Sequence, residues 1–124
     1  MKYRLPAIVP LLCSLLCGAV STTVQAEGDP AYAASMVKRG ALVVDVRSAE
    51  EYAQGHVPQA SHIPYEEVVA RFAEQGISKE QTVVLYCASG RRAEIARQAL
   101  EQAGYQHVIN GGGFRELRPR IPNR

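Results

Sequence analysis

The cysteine at position 87 lies where the sequence changes character abruptly. In VVLYCASGRRAEIARQAL, from 83 to 100, an apolar run leads into Cys87, a small polar loop follows, and helical spacing then resumes. Such a loop directs backbone N–H groups and the positive end of a helix dipole toward the sulfur. The residues that follow Cys87 are Ala88, Ser89, Gly90, Arg91 and Arg92. Because the two arginines add positive charge, we expect the nucleophilic thiolate form at this position.

Cys87 could instead be a buried core thiol, which is the commonest state of a lone cysteine. A core thiol has no need of a glycine-containing loop with two cations beside it. The pattern therefore favours a reactive cysteine.

Apolar, β-branched runs alternate with helical patterns along the chain. The apolar runs predict strands at 41–46, 61–63, 82–86 and 107–110. The helical patterns predict helices at 30–39, 49–54, 65–75 and 91–103. A turn at 111–113, a short last helix and a frayed Pro-rich tail complete the prediction.

This alternation predicts an α/β fold of three layers, with a mostly parallel sheet and helices on both of its faces. The continuous apolar runs at 41–46 and 82–86 are typical of strands covered on both sides. Cys87 then lies at the carboxyl end of a central strand, where ligands bind in open α/β sheets.

Other polar residues point to supporting roles. Asp45 ends a buried strand, and we expect it to accept hydrogen bonds that hold a loop or Arg47 in place. Ser48 and Glu51 have the spacing of a capping box. Glu50 and Glu51 are adjacent and therefore point in different directions on a helix, which argues against a general acid/base pair.

Metal and phosphate sites are not indicated. His56, His62 and His107 are scattered and lack the spacing of metal ligands, so we expect hydrogen-bonded loop or surface histidines and no metal. The glycines at 111–113 lack the lysine and the serine or threonine of a phosphate-binding loop. A tight strand-to-helix turn is enough to explain them.

The first 26 residues are typical of a signal peptide. Lys2 and Arg4 precede an apolar stretch at 5–20, and small residues end the segment at Ala26. An uncleaved anchor is the alternative, but the stretch contains two prolines and is shorter than the roughly 20 residues that a spanning helix needs. We expect cleavage after Ala26, export to the periplasm and a single domain at 27–124.

Cleavage changes both the charge and the cysteine content. Removing Lys2 and Arg4 lowers Lys plus Arg from 14 to 12, equal to the 12 Asp plus Glu, so the mature chain has a formal charge of zero. Neither nucleic acid nor an anionic membrane is indicated as a partner. Cys13 and Cys17 also leave, so Cys87 has no second cysteine for a disulfide, a thiolate zinc site or dithiol exchange.

Three motifs together resemble the single-domain rhodaneses. CASGRR resembles their CxxGxR loop, LVVDVRSAEEYAQGHVPQASHIP at 42–64 resembles their upstream signature, and VINGGGF resembles their closing glycine-rich turn. The resemblance covers essentially the whole mature chain, and an exported domain of this kind is similar to the small periplasmic members of the family. Leu117 and His62 depart from the tryptophan and asparagine that the family often carries, at positions that concern acceptor contacts more than chemistry.

The resemblance implies a thiosulfate sulfurtransferase. Cys87 would attack the outer sulfur of thiosulfate, sulfite would leave, and cyanide or a thiol would then remove sulfur from the persulfide, in a ping-pong mechanism. The loop N–H groups of 88–90, with Arg91 and Arg92, would bind the anions. No cofactor or metal is required, and the acceptor could be a thiol protein.

The sequence argues against one alternative and leaves another open. Cysteine-dependent protein phosphatases and arsenate reductases of the same architecture place five residues between cysteine and arginine, whereas four separate Cys87 from Arg92, so the cradle is one residue short for phosphate esters. A rhodanese-like sulfur carrier or recognition module with little turnover is the other alternative, and the intact cationic loop favours the enzyme.

Overall fold

The structure is a computed structural model that describes residues 28–123. The predicted signal peptide at 1–26 and its cleavage site lie outside these residues. Across 28–123, none of the helices is both long enough and apolar enough to span a membrane.

A parallel sheet forms the centre of the domain. Its strands are β1 (Leu42–Asp45), β2 (Ser61–His62), β3 (Thr82–Cys87) and β4 (His107–Gly113). They lie in the order β2-β1-β3-β4, and every neighbouring pair is parallel. The strand that carries Cys87 is therefore central, with β1 on one side and β4 on the other, as the sequence predicts.

Helices cover both faces of this sheet. They are α1 (Pro30–Lys38), α2 (Ala49–Ala53), α3 (Val68–Glu74), α4 (Arg91–Gln102) and α5 (Phe114–Leu117). Asp29 caps α1 and Ser48 caps α2, where the predicted capping box with Glu51 is present. Short 3₁₀ turns occupy Tyr65–Glu67 and Arg118–Arg120.

Two apolar cores result, one on each face. Phe72 of α3 and Leu100 of α4 pack against Val83 and Leu85 on one face. Val37 of α1 and Leu117 of α5 belong to the cluster on the other face. Successive residues of β3 alternate between these clusters, which explains why its sequence is apolar throughout. The predicted three-layer α/β fold is confirmed.

Three local predictions are wrong. The glycines 111–113 do not form a turn but continue β4. A Cβ on Gly111 would stand 2.9 Å from Cγ1 of Val84, so a glycine at this position lets β4 lie close to β3. The helix predicted at 65–75 begins instead as a 3₁₀ turn. The predicted fraying of the tail is wrong as far as Ile121, because the side chain of Ile121 is buried in the second core.

Candidate active site

Cys87 is the last residue of β3 and lies opposite Gly113 of β4, beside an irregularity in the pairing. Its side chain is fully buried. The sulfur accepts hydrogen bonds from the backbone N–H of Gly90 at 3.0 Å and of Ala93 at 3.4 Å. The two donors belong to the start of α4, so the first turn of this helix points at the sulfur and stabilises negative charge there.

The loop after Cys87 depends on Gly90. This residue precedes α4 with a φ of 95°, a left-handed conformation that favours glycine. Its carbonyl accepts a hydrogen bond of 3.0 Å from Nδ2 of Asn110, which ties the loop to β4. Oδ1 of Asn110 in turn accepts from the backbone N–H of Gly112. Ala88 and Ser89, between these anchors, are exposed to solvent.

Arg92 is held by a carboxylate. Its Nη1 and Nη2 donate to the two carboxylate oxygens of Glu51 at 2.9 and 3.0 Å. The hydrogen bond to Glu51 raises the pKa of Arg92, although burial acts against it, and the Cys87 sulfur adds to the rise. Arg92 therefore ties the start of α4 to α2 through Glu51. Arg91 is exposed and forms no ion pair within the described residues.

Asp45 and Arg47 form a buried ion pair at the end of the neighbouring strand. Oδ2 of Asp45 lies 2.7 Å from Nη2 of Arg47, and Oδ1 accepts from the backbone N–H and Nε of Arg47. Nη2 also donates to the carbonyl of Gly55 at 2.7 Å. The ring of Phe114 lies 4.5 Å from the guanidinium carbon. Burial acts to lower the pKa of Arg47, but Asp45 outweighs it and the pKa is raised.

The three histidines do not come together as one site. His56 approaches the carbonyl of Tyr52, and Nε2 of His62 lies 2.7 Å from the carbonyl of Arg47. His107 is exposed at the start of β4. Among residues 28–123, no three His, Cys, Asp or Glu side chains form a group that could hold a metal ion.

Sequence reasoning missed two residues of the site. Glu51 has the spacing of a helix cap, and that pattern gives no sign that the same carboxylate also binds Arg92 from 41 positions away. Asn110 ends an apolar strand pattern as an isolated polar residue, and it is buried there. A buried asparagine needs hydrogen-bond partners, so its position is the one signal that could have assigned it a bonding role.

Two cavities lined by residues within 28–123 adjoin the loop and the start of α4, one toward β4 and one toward β1 and β2. The larger has a volume of about 400 Å³ and lies toward β4, lined by Gly28, Pro30, Ala88, Ser89, Gly113 and Glu116. The smaller, of about 80 Å³, lies toward β1 and β2 and is lined in part by Arg47 and Arg92. Glu66 also lines the smaller cavity, so each of the two cavities includes a carboxylate and the smaller one includes two arginines as well.

Acid should weaken the fold through two carboxylates. Arg92 lowers the pKa of Glu51, and Arg97 that of Glu94, each to about 2 from 4.5. Because the folded-state pKa is depressed, this stabilisation is complete above pH 4.5 and is lost as the pH falls toward 2. Both groups are partly exposed, so we expect a combined loss of about 1 kcal/mol in the free energy of unfolding.

Urea unfolding at pH 6, 4 and 3 measures this loss. The double variant Glu51→Gln/Glu94→Gln should lose less stability over that range than the wild type. Glu74→Gln is the control, because Glu74 is exposed and forms no ion pair in the part of the chain described. Parallel pH profiles for the wild type and the double variant would contradict the assignment.

The fold and the site together define a class of protein. It is a parallel α/β domain that presents a cysteine to the N–H donors of a helix start, at the carboxyl edge of its sheet. The sequence profile of the rhodanese-like domain matches residues 29–118. The chain therefore belongs to the rhodanese-like domain family.

Similar proteins agree with this membership. The chain is 42% identical over 74 residues to the thiosulfate sulfurtransferase PspE of Escherichia coli, covering 60% of this chain and 71% of that protein. It is 38% identical over 68 residues to the putative sulfur carrier protein YrkF of Bacillus subtilis, covering 55% of this chain and 36% of YrkF. A solved structure of a rhodanese with anions from E. coli aligns with a TM-score of 0.62 at 38% identity, covering 67% and 95% of the two chains. The predicted family and the sulfurtransferase class are confirmed.

Proposed function

We propose that the protein moves the outer sulfur of thiosulfate to cyanide or a thiol through a persulfide on Cys87. The observation that carries this proposal is the pair of N–H donors, from Gly90 and Ala93, on the Cys87 sulfur. The similarity to PspE, a thiosulfate sulfurtransferase, supports the choice of donor. The loop residues 88–92 would bind the anionic donor, with Asp45 and Arg47 in a supporting role.

The chemistry is a double displacement on sulfur. The Cys87 thiolate attacks the outer sulfur of thiosulfate, a new S–S bond forms, and the old S–S bond breaks with both electrons leaving on sulfite. The persulfide that remains carries one negative charge. Cyanide or a thiolate then attacks its outer sulfur, so that thiocyanate or a new persulfide leaves and the Cys87 thiolate returns.

The site suits this reaction because every species in it is anionic. Fixed N–H donors stabilise the thiolate before the attack and cost no reorganisation during it. Burial of the sulfur strengthens these interactions, because the effective dielectric is lower than in water. No proton needs to move in either displacement when the acceptor is cyanide, so no general acid or base is required at the sulfur.

Mass spectrometry of the intact protein tests the proposal. After treatment with thiosulfate, Cys87 should carry one extra sulfur atom, an increase of about 32 Da. Cyanide should then remove it rapidly, with formation of thiocyanate. A protein that accepts sulfur but releases it slowly to every small acceptor would be a carrier, the activity named for YrkF. A protein that never acquires sulfur would overturn both assignments.

Neutralising Arg92 should weaken capture of thiosulfate. We expect Arg92→Ala to lower kcat/KM for the donor half-reaction. The loss of transition-state stabilisation should be about 1 to 3 kcal/mol, the range for hydrogen bonds to charged groups. The variant also leaves the Glu51 carboxylate without its partner near the loop, which would repel a dianion. Stopped-flow kinetics of persulfide formation measure the effect.

Arg91→Ala is the matched comparison, since Arg91 is adjacent, exposed and outside any ion pair of the described residues. We expect a smaller effect, through its field alone. Added salt should slow the wild type more than the double alanine variant, because screening acts on charge that is still present. Equal rates of persulfide formation in the wild type and the double variant at low salt would show that neither arginine helps to bind thiosulfate. The backbone N–H groups alone would then bind the anion.

We propose further that the protein is exported to the periplasm, with residues 1–26 removed as a signal peptide. The basic start, the apolar stretch and the small residues before Glu27 support it. N-terminal sequencing of protein purified from the exporting host should begin at Glu27. An intact N-terminus would overturn the proposal and favour a membrane anchor.

A further inference from the structure

The exposed side of α4 begins beside the nucleophile. The side chain of Cys87 belongs to the core on the face of the sheet that α4 covers. Its sulfur accepts hydrogen bonds from the backbone N–H groups of Gly90 and Ala93. Arg91 lies between these two donors in the chain, at the first position of α4, and its side chain is exposed. A protein that exchanges sulfur with Cys87 would have to contact the exposed residues around this turn.

Arg91 is the one charged residue of α4 that forms no ion pair with any residue described. The others are all paired, namely Arg92, Glu94, Arg97 and Glu101. Glu66, on the 3₁₀ turn that packs against α4, lies beyond ion-pair distance of Arg91. Because the helix dipole repels a cation at this end, Arg91 destabilises α4 unless an anion from outside the chain lies beside it.

Ile95 lies one turn further along the same side of α4. Residues four apart are neighbours on a helix surface, and Ile95 is 51% exposed. The next exposed residue on this side, Gln98, is uncharged. One exposed apolar residue alone is ordinary, but this one adjoins an unpaired arginine on the helix that starts at the nucleophile. Interfaces between proteins are enriched in arginine, depleted in lysine and acidic residues, and most apolar at their centre. Arg91 and Ile95 together are named here the α4 docking face.

We propose that the α4 docking face binds a protein that accepts sulfur from Cys87, at a segment where an acidic and an apolar residue flank the attacking cysteine. The inference rests on the proposed function and names the class of its second substrate. A carboxylate can accept two parallel hydrogen bonds from the Arg91 guanidinium. An apolar side chain of the partner would cover Ile95 and remove its exposed surface from water. Cyanide is too small to cover Ile95, so that residue affects protein acceptors alone.

The test uses three synthetic peptides of equal length as acceptors from the persulfide form of the protein. Each contains one cysteine, flanked by glutamate and leucine, by lysine and leucine, or by glutamate and serine. Each rate constant is expressed as the ratio of variant to wild type, because the intrinsic nucleophilicity of the peptide thiol cancels in that ratio. Dividing by the same ratio for 2-mercaptoethanol removes any change in the basal chemistry.

The variant Ile95→Ala tests the apolar contact. We expect it to slow the glutamate–leucine peptide about three- to fivefold, as the loss of part of a buried isoleucine predicts. The glutamate–serine peptide, cyanide and thiosulfate loading should change by less than about twofold, because none of them covers Ile95. Tyr32→Ala is the control, since Tyr32 is 52% exposed and lies on α1, on the opposite face of the sheet. It should leave every ratio near one.

The variant Arg91→Ala tests the charge. Its normalised ratio should fall about three- to fivefold for the glutamate–leucine peptide, the upper range for an exposed ion pair. The ratio for the lysine–leucine peptide should rise, because a like charge is removed. A merely structural disturbance of the loop would slow both peptides and 2-mercaptoethanol together and would not produce opposite shifts.

The outcomes separate this inference from the proposed function. If thiosulfate fails to load Cys87 in the wild type, the proposed function is wrong, whatever the α4 docking face does. If the persulfide forms and passes to cyanide, but Ile95→Ala slows the glutamate–leucine peptide no more than Tyr32→Ala does, this inference alone is overturned. Equal normalised ratios for the acidic and basic peptides in Arg91→Ala would overturn it as well.

Discussion

Replacing Cys87 with serine is expected to abolish sulfur transfer and to leave the fold nearly intact. A hydroxyl is a far weaker nucleophile than a thiolate and ionises far above neutral pH, so neither persulfide formation nor turnover should be detectable. The serine oxygen can still accept hydrogen bonds from Gly90 and Ala93, which now point at the sulfur. We therefore expect a loss of no more than about 1 kcal/mol in the free energy of unfolding.

Thiocyanate formation and the intact mass after thiosulfate treatment measure the chemistry, and urea unfolding measures the stability. Cys87→Ala is the matched control. It also lacks the nucleophile, but it leaves both N–H groups buried without an acceptor, so it should unfold more easily than the serine variant by about 1 to 3 kcal/mol. More than a trace of transfer by either variant would show that sulfur does not pass through Cys87.

The strands and the place of the nucleophile could be predicted because their signals are local. The apolar runs around Val44 and Val84 read as strands buried on both faces, since each residue contributes to a core. The position of Cys87 follows from the end of such a run and the start of a helical pattern. Gly90 marks the same boundary, because the chain needs a left-handed residue there.

The partners within the site could not be predicted in the same way, because they join distant parts of the chain. The capping box fully explains Glu51 from its sequence neighbours, so nothing local indicates its bond to Arg92. The glycines 111–113 resemble a turn until the packing against Val84 is known. Ile121 lies between two prolines, Pro119 and Pro122, which suggest a loose tail, and its burial depends on a core that other elements build.

The buried ion pair of Asp45 and Arg47 is expected to produce the largest loss of stability. In Asp45→Asn one carboxylate oxygen becomes an NH₂ group, a donor that faces the guanidinium donors now bonded to it at 2.7 to 3.1 Å. The Arg47 charge then stays buried without the carboxylate that is directly bonded to it. Tyr86 does not replace that charge, because burial raises the pKa of its hydroxyl and keeps it neutral. Breaking one partner of a buried pair costs about 3 to 5 kcal/mol.

Urea unfolding at pH 7 measures that loss, and two further variants identify its cause. Glu67→Gln breaks the exposed pair with Arg71 on α3 and should cost under about 0.5 kcal/mol, as surface pairs of this spacing do. Adding Arg47→Met to Asp45→Asn removes the orphaned charge and should restore part of the stability. The recovery should be incomplete, because Arg47 also donates to Gly55 and packs on Phe114. If Asp45→Asn loses less than about 1 kcal/mol, or if adding Arg47→Met destabilises it further, Asp45 does not stabilise the fold by neutralising the buried charge of Arg47.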